Sequence, residues 1–84
     1  MKIVYTFHAK EKMVERNISK KIVKNALKNP DTIIETRCGR LIAHKQIKGK
    51  LLRIVYNKEN NVYLIITAYF TEPKRYGEKN ENNI

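Results

Sequence analysis

The sequence is poor in several kinds of residue, and each shortage excludes a class of site. It has one cysteine, Cys38, so it can form no internal disulfide and lacks the paired thiols of a zinc site. Two histidines and scattered carboxylates show no metal-ligand spacing, so we expect neither a metal ion nor a cofactor. The three glycines, Gly39, Gly49 and Gly77, are too dispersed to form a glycine-rich phosphate loop.

Long apolar runs are also missing. No segment approaches the roughly eighteen consecutive apolar residues of a membrane-spanning helix. The opening residues, "MKIVYTF", lack the long apolar run of a signal peptide. We therefore predict a cytoplasmic protein.

Acidic residues are scarce relative to basic ones. Eight Asp and Glu stand against 18 Lys and Arg, which gives this chain of 84 residues a formal net charge of +10. Such a charge on one small domain attracts polyanions. Nucleic acid is the first candidate partner, an anionic membrane the second and an acidic protein the third. A lysine-rich surface with no such partner is the remaining alternative.

The first third of the chain predicts one strand and two helices. Residues 2–7 are β-branched and aromatic, which is typical of a strand, and residues 8–17 predict a helix. Ser19 is a good N-cap for a second helix, which ends before Pro30. The apolar face of this helix is needed for the core, so we predict no membrane partner. That face consists of Ile22, Val23, Ala26 and Leu27.

The rest of the chain predicts four more strands, at residues 32–36, 40–47, 51–57 and 62–70. The short breaks between them force antiparallel neighbours. The order β-α-α-β-β-β-β therefore predicts an α+β fold, with two N-terminal helices packed on one face of an antiparallel sheet. We expect one domain over residues 1–76, followed by a flexible polar tail.

Side chains alternate along a strand, which divides each strand between two faces of the sheet. In the last strand one set is wholly apolar and is predicted to pack under the helices: Val62, Leu64, Ile66, Ala68 and Phe70. The same alternation predicts a polar face on the other side of the sheet. It would carry Arg40, His44, Gln46, Arg53, Tyr63, Thr67 and Tyr69.

This polar face has the residue types of a metal-independent ribonuclease. RNA brings its own nucleophile, the 2′-OH, and its cleavage needs a base, an acid and a cation near the phosphorane. Either His8 or His44 could move the proton, and the sequence leaves that choice open. Arg53 lies in an apolar strand, where a charge needs a reason. Tyrosine rings such as Tyr69 stack on unpaired bases.

A stripe of polar residues on the first predicted helix is a second candidate. His8, Lys12 and Arg16 follow one another at intervals of four, which places them along one side of a helix. They could contact RNA or form a plain solvated surface. Lys74 and Arg75, just after the last strand, are further candidates for phosphate contacts.

The motifs taken together resemble small toxin domains of the RelE/ParE-like superfamily, in particular BrnT-like domains. The stretches that carry the resemblance are "FHAKEKMVERNIS", "IVKNALKNPDTII", "GRLIAHKQIKGKLLRIVYN" and "VYLIITAYFT". By position, His8 matches the first histidine of those domains, and Lys12 and Arg16 match their two arginines. Thr67 and Tyr69 match the closing motif. Lys12 keeps the charge of an arginine but not its bidentate fork.

The resemblance implies a RelE- or barnase-like ribonuclease fold and the toxin of a type II toxin–antitoxin system. Such a toxin cleaves mRNA, alone or on the ribosome, and a cognate antitoxin protein neutralises it. Taken with the polar face, the candidate catalytic residues are His8, His44, Arg53, Thr67 and Tyr69. The candidate RNA-binding residues are Lys12, Arg16, Arg40, Lys74 and Arg75. A non-catalytic RNA-binding or protein-interaction module of the same fold is the alternative.

Overall fold

The structure, a computed structural model, describes residues 1–73. Its elements are β1 (Lys2–Tyr5), α1 (Phe7–Glu15), α2 (Lys20–Lys28), β2 (Thr32–Glu35), β3 (Leu41–Ile47), β4 (Lys50–Glu59) and β5 (Val62–Thr71). The predicted α+β fold, with both helices packed against the sheet, is confirmed. The predicted tail and the candidates Lys74 and Arg75 lie outside the described residues.

Both helices begin at a hydroxyl cap. The Thr6 hydroxyl accepts a hydrogen bond from the backbone N–H of Ala9 at 3.0 Å, and the Ser19 hydroxyl accepts one from Ile22 at 3.1 Å. These bonds satisfy N–H groups that have no partner inside a helix. α2 ends at Lys28, and its C-cap Asn29 stands directly before Pro30, as the sequence predicts.

The sheet has five strands in the order β1-β5-β4-β3-β2. β2 to β5 form the predicted antiparallel meander, with each strand beside the next in the chain. β1 lies on the far side of β5 and runs parallel to it, so the first strand pairs with the last. β1 and β2 are the two terminal strands of the described sheet.

The core lies between the helices and one side of the sheet, which we call the helix side. Leu52, Ile54 and Ile65 have no exposed surface there. Ala9 of α1 and Val23 of α2 belong to the same buried cluster. The opposite side of the sheet has no helix over it in residues 1–73, and we call it the open face. None of the described helices is long and apolar enough to span a bilayer.

A β-bulge in β5 divides the strand into two halves with opposite phase. Val55 pairs with Thr67 but the next residue, Tyr56, pairs with Ile65, so Ile66 is an extra residue. After the bulge, Ala68 and Phe70 lie on the helix side, as predicted. Before it, the prediction is wrong. Tyr63 and Ile65 face the core there, while Val62 and Leu64 lie on the open face.

The turn between β3 and β4 sets the register of these two strands. Lys48 and Gly49 both have positive φ, 52° and 82°, which is the conformation of a two-residue type I′ turn. Ile47 therefore pairs with Lys50, and the same register brings His44 opposite Arg53.

Replacing Gly49 with alanine is expected to lower the free energy of unfolding by about 1–2 kcal/mol. A Cβ at this position would meet no atom within 4 Å, so the cost comes from the left-handed backbone conformation alone. Lys48→Asn should cause no comparable loss, since Asn tolerates this conformation. Urea unfolding followed by circular dichroism measures both, and equal stability of Gly49→Ala and the parent chain would contradict the turn.

Candidate functional site

Four side chains form a row across the open face. Thr32 pairs with His44, His44 pairs with Arg53, and Arg53 pairs with Tyr69, on β2, β3, β4 and β5 respectively. Neighbouring strands lie about 4.8 Å apart, and residues directly opposite each other contact through their side chains. We call these four residues the cross-strand row. It gathers a histidine, an arginine and a tyrosine from three consecutive strands.

Arg16 reaches the row from the end of α1. One of its guanidinium nitrogens, Nη1, donates to the carbonyl of Ala68 at 3.0 Å and to the hydroxyl of Thr67 at 3.3 Å. The guanidinium carbon lies 5.9 Å from the centre of the Tyr69 ring. Arg53 lies 5.6 Å from the same ring centre. Two cationic groups therefore border one tyrosine, which favours an anion at this position.

The edge of β5 explains why Arg16 can donate hydrogen bonds to Ala68 and Thr67. β1 pairs with β5 only as far as Ile65, and Thr6 then donates its hydroxyl to the Ile65 carbonyl at 3.0 Å. Beyond that point Arg16 donates to the next part of the edge, at Ala68. Arg16 thus has a structural partner in the β5 backbone as well as a place beside Tyr69.

The centre of the row is shielded from water. His44 is 5% exposed and Arg53 is 8% exposed, whereas Arg16 is exposed and Thr67 and Tyr69 are half-buried. Burial lowers the pKa of His44 below its ordinary value of 6.5, and the positive charge of Arg53 lowers this pKa further. The imidazole is therefore neutral at pH 7, which is the state that can accept a proton.

The lowered pKa of His44 predicts a pH dependence of stability. Between the pKa of the folded state and 6.5, the unfolded chain binds more protons, so the free energy of unfolding falls as the pH falls through this window. A single proton gives a slope of at most about 1.4 kcal/mol per pH unit. Urea unfolding at a series of pH values measures the slope.

The second histidine supplies a matched control for this prediction. His44→Gln should flatten the slope below pH 6.5, while His8→Gln, at an exposed position, should leave it unchanged. The prediction is wrong if His44→Gln keeps the slope of the parent chain.

In a comparison with protein-family models, residues 5–70 match the domain of unknown function DUF4258. The chain belongs to the DUF4258 family. No curated protein and no solved structure matches the sequence. The span that matches DUF4258 contains the whole cross-strand row, together with Arg16 and Thr67.

Three sequence candidates in this DUF4258 domain, unlike Arg16 and Thr67, lie neither in the row nor beside it. His8 is exposed in the first turn of α1, and about 12 Å of helix separates it from Arg16. Lys12 pairs with the carboxylate of Glu15 at 3.3 Å, so its charge is partly compensated. Arg40 is exposed just before β3, about 13 Å along the strand from His44.

The prediction that Tyr63 lies on the polar face is wrong. The bulge places Tyr63 on the helix side, where its ring stacks on that of Tyr56 at 5.6 Å between ring centres. In residues 1–73 no three His, Cys, Asp or Glu side chains come close enough to hold a metal ion.

Sequence reasoning missed Thr32, which completes the row beside His44. The signal was the hairpin between β2 and β3, in which the backbone N–H of Thr36 donates to the carbonyl of Arg40 at 2.9 Å. Counting back from that closing pair brings Thr32 opposite His44. The DUF4258 row thus follows from three hairpin turns and one bulge.

Proposed function

We propose that this DUF4258 protein is a toxin-type endoribonuclease, and that it cleaves mRNA at the cross-strand row without a metal ion. The observation that carries the proposal is the register that sets His44, Arg53 and Tyr69 side by side on the open face. A buried neutral imidazole beside a fixed guanidinium supplies two of the three groups that RNA cleavage needs.

In the proposed reaction, His44 takes the proton from a ribose 2′-OH. The 2′-oxygen attacks the adjacent phosphorus, and Arg53 stabilises the negative charge of the phosphorane. The bond from phosphorus to the 5′-oxygen then breaks. The phenol of Tyr69 donates its proton to this leaving oxygen, and the products are a 2′,3′-cyclic phosphate and a 5′-hydroxyl.

Charge sets the direction of approach, because both ends of the row reach solvent: Thr32 is exposed and Tyr69 is half-buried. The RNA backbone would reach the row from the β5 end, where the exposed Arg16 lies beside Tyr69 and adds a positive charge. Arg16 and Arg40 would hold flanking phosphates by charge-assisted hydrogen bonds. A Tyr69 ring bordered by two arginines can also stack on a base next to the cleaved bond.

The burial of His44 and Arg53 favours a second candidate function, an RNA-binding module that does not cleave RNA. With His44 and Arg53 only 5% and 8% exposed, their part would be to hold Tyr69 and Thr67 in place rather than to contact RNA. Such a module would bind single strands with a strong dependence on salt.

The experiment that separates the two is incubation of the purified chain with labelled single-stranded RNA, alone and in a translating extract. The ribonuclease predicts fragments that end in a 2′,3′-cyclic phosphate, with no effect of EDTA. Binding in a gel-shift assay without any fragments would support the module and contradict the ribonuclease.

As a toxin acting on mRNA, the protein would work in the cytoplasm and need a neutralising protein beside it. The charge of +10 supports an acidic antitoxin as that partner. Expression of the chain alone should arrest growth, and arrest should be lost in the variants that lose cleavage. Normal growth with abundant soluble protein would contradict the toxin.

A further inference from the structure

A basic groove lies along the outer edge of β1, on the helix side of the sheet. Its cavity volume is about 330 Å³. The residues that line it come from β1, from the residue before it and from the first turns of α2: Met1, Ile3, Tyr5, Lys20, Lys21 and Lys24. We call it the β1–α2 groove. It is on the opposite side of the sheet from the cross-strand row.

The lysines of this groove have no acidic partner in the described part of the chain. The ion pairs among residues 1–73 join Lys12 to Glu15 and Lys45 to Asp31, and α2 itself contains no acidic residue. The positive end of the α2 dipole lies at the same place. Within residues 1–73, the groove is therefore a site of concentrated positive charge whose lysines form no ion pair.

The aromatic ring of the groove, that of Tyr5, lies against one of these lysines. The ammonium nitrogen of Lys20 lies 5.1 Å from the ring centre of Tyr5. Burial raises the pKa of Tyr5 above its ordinary value of 10.0, so the phenol keeps its proton. It can donate that proton in a hydrogen bond to a carboxylate.

The floor of the groove is a strand edge with available backbone groups. The N–H of Lys2 donates to Asn61 at 2.9 Å and that of Thr6 donates to Ile65 at 3.2 Å, so these residues face β5. N–H and C=O groups alternate in direction along a strand, and those of Ile3 therefore point to the outer edge, as do those of Tyr5. An edge of this kind pairs with an extended peptide.

We propose that the β1–α2 groove docks an acidic, extended segment of another protein as a sixth strand beside β1. Its backbone would pair with Ile3 and Tyr5. Every second side chain of an added strand points to the helix side, where Lys20 and Lys24 lie, so these positions would be Asp or Glu. The intervening side chains would extend the open face beside Val4, which is 39% exposed, and would be apolar.

Charge and backbone chemistry select this occupant over the others. A second copy of the chain would bring the same three lysines against Lys20, Lys21 and Lys24, which is repulsive. RNA would satisfy the lysines, but its backbone cannot match the alternating N–H and C=O groups of Ile3 and Tyr5. An acidic strand satisfies both.

The test uses the full chain and a synthetic peptide in which Glu alternates with Val. Fluorescence anisotropy of the labelled peptide measures affinity, and amide hydrogen exchange by NMR reports strand pairing. We expect saturable binding that weakens with salt, together with slower exchange of the Ile3 and Tyr5 amides. Binding without protection of these amides would overturn the sixth strand.

Charge-reversal variants on one helix give a matched control. The double variant Lys20→Glu/Lys24→Glu should lower the affinity for the peptide by about tenfold or more. Lys28 is exposed on α2 outside the groove, so Lys28→Glu should change this affinity little. An equal loss of affinity in the groove variant and in Lys28→Glu would overturn the assignment of the peptide to this groove. A version of the peptide with proline at alternate positions keeps the charge but cannot pair and should not bind.

Two further outcomes separate this proposal from the ribonuclease. If single-stranded RNA displaces the peptide and loses affinity in Lys20→Glu/Lys24→Glu, the groove is a nucleic-acid site and the proposal is wrong. The peptide should bind as well to a chain that does not cleave RNA, because the groove and the row lie on opposite sides of the sheet.

Discussion

Replacing Ile65 with alanine is expected to lower the free energy of unfolding by about 2–5 kcal/mol. Ile65 has no exposed surface and lies in the core opposite Tyr56. Removing its methylene and methyl groups forfeits their burial and leaves a cavity. Small domains have a total stability of only about 5–15 kcal/mol, so this one change is a large fraction of the whole. Urea unfolding followed by circular dichroism measures it.

The neighbouring residue supplies the control, because it has the same side chain. Ile66 is the extra residue of the bulge and is half-buried, so Ile66→Ala should cost clearly less than Ile65→Ala. A strand that alternates without interruption predicts the reverse order. If Ile66→Ala is the more destabilising change, the bulge is misplaced and so is the pairing of Arg53 with Tyr69.

Replacing Arg53 with glutamine is expected to slow RNA cleavage by about 10²–10³-fold, and His44→Gln by about 10²–10⁴-fold. Both expectations rest on the proposed function. Arg53→Lys should fall between Arg53→Gln and the parent chain, because lysine keeps the charge but loses the planar fork. Initial rates on a fluorescently labelled RNA measure all three variants, with circular dichroism to verify that each is folded.

The pH profile adds a signature that a purely structural role would not produce. The charge of Arg53 is one cause of the lowered pKa of His44, so Arg53→Gln should raise that pKa. The acidic limb of the rate profile should therefore move to higher pH in the variant. A slower enzyme with an unmoved limb would show that His44 is not the base.

Two exposed residues serve as controls for charge and for imidazole. Arg40→Gln removes the same charge as Arg53→Gln at an exposed position and should mainly reduce the salt dependence of binding. His8→Gln should leave the rate within a few-fold of the parent chain. Loss of cleavage in His8→Gln with retention in His44→Gln would assign the base to α1 instead of β3.

Much of the fold could be predicted because local signals agree with one another. The cap at Ser19 and the stop at Pro30 define α2 to within one residue of its bounds. The turn at Lys48 and Gly49 has the chemistry of a type I′ hairpin, and this alone brings His44 opposite Arg53. Strand type, order and neighbours in the meander follow from the short breaks.

The pairing of Arg53 with Tyr69 and the contact of Arg16 with β5 depend on features that the local sequence does not show. Counting from the last hairpin, in which Glu59 pairs with Val62, an unbroken strand would bring Arg53 opposite Ala68 and turn Tyr69 toward the core. The extra residue at the bulge reverses this, yet nothing in "LIITAYF" marks it. The contact of Arg16 with the β5 edge likewise depends on where β1 stops pairing, which is a tertiary property.

The parallel pairing of β1 with β5 also bears on the order in which the chain folds. Lys2 pairs with Val62, so this contact closes a loop that includes nearly every other element, and its entropic cost is high. The hairpins of β2 to β5 close short loops and are the cheaper contacts. We expect the cross-strand row to assemble early and β1 to join last. During synthesis on the ribosome, β1 would remain without its partner until β5 has been made.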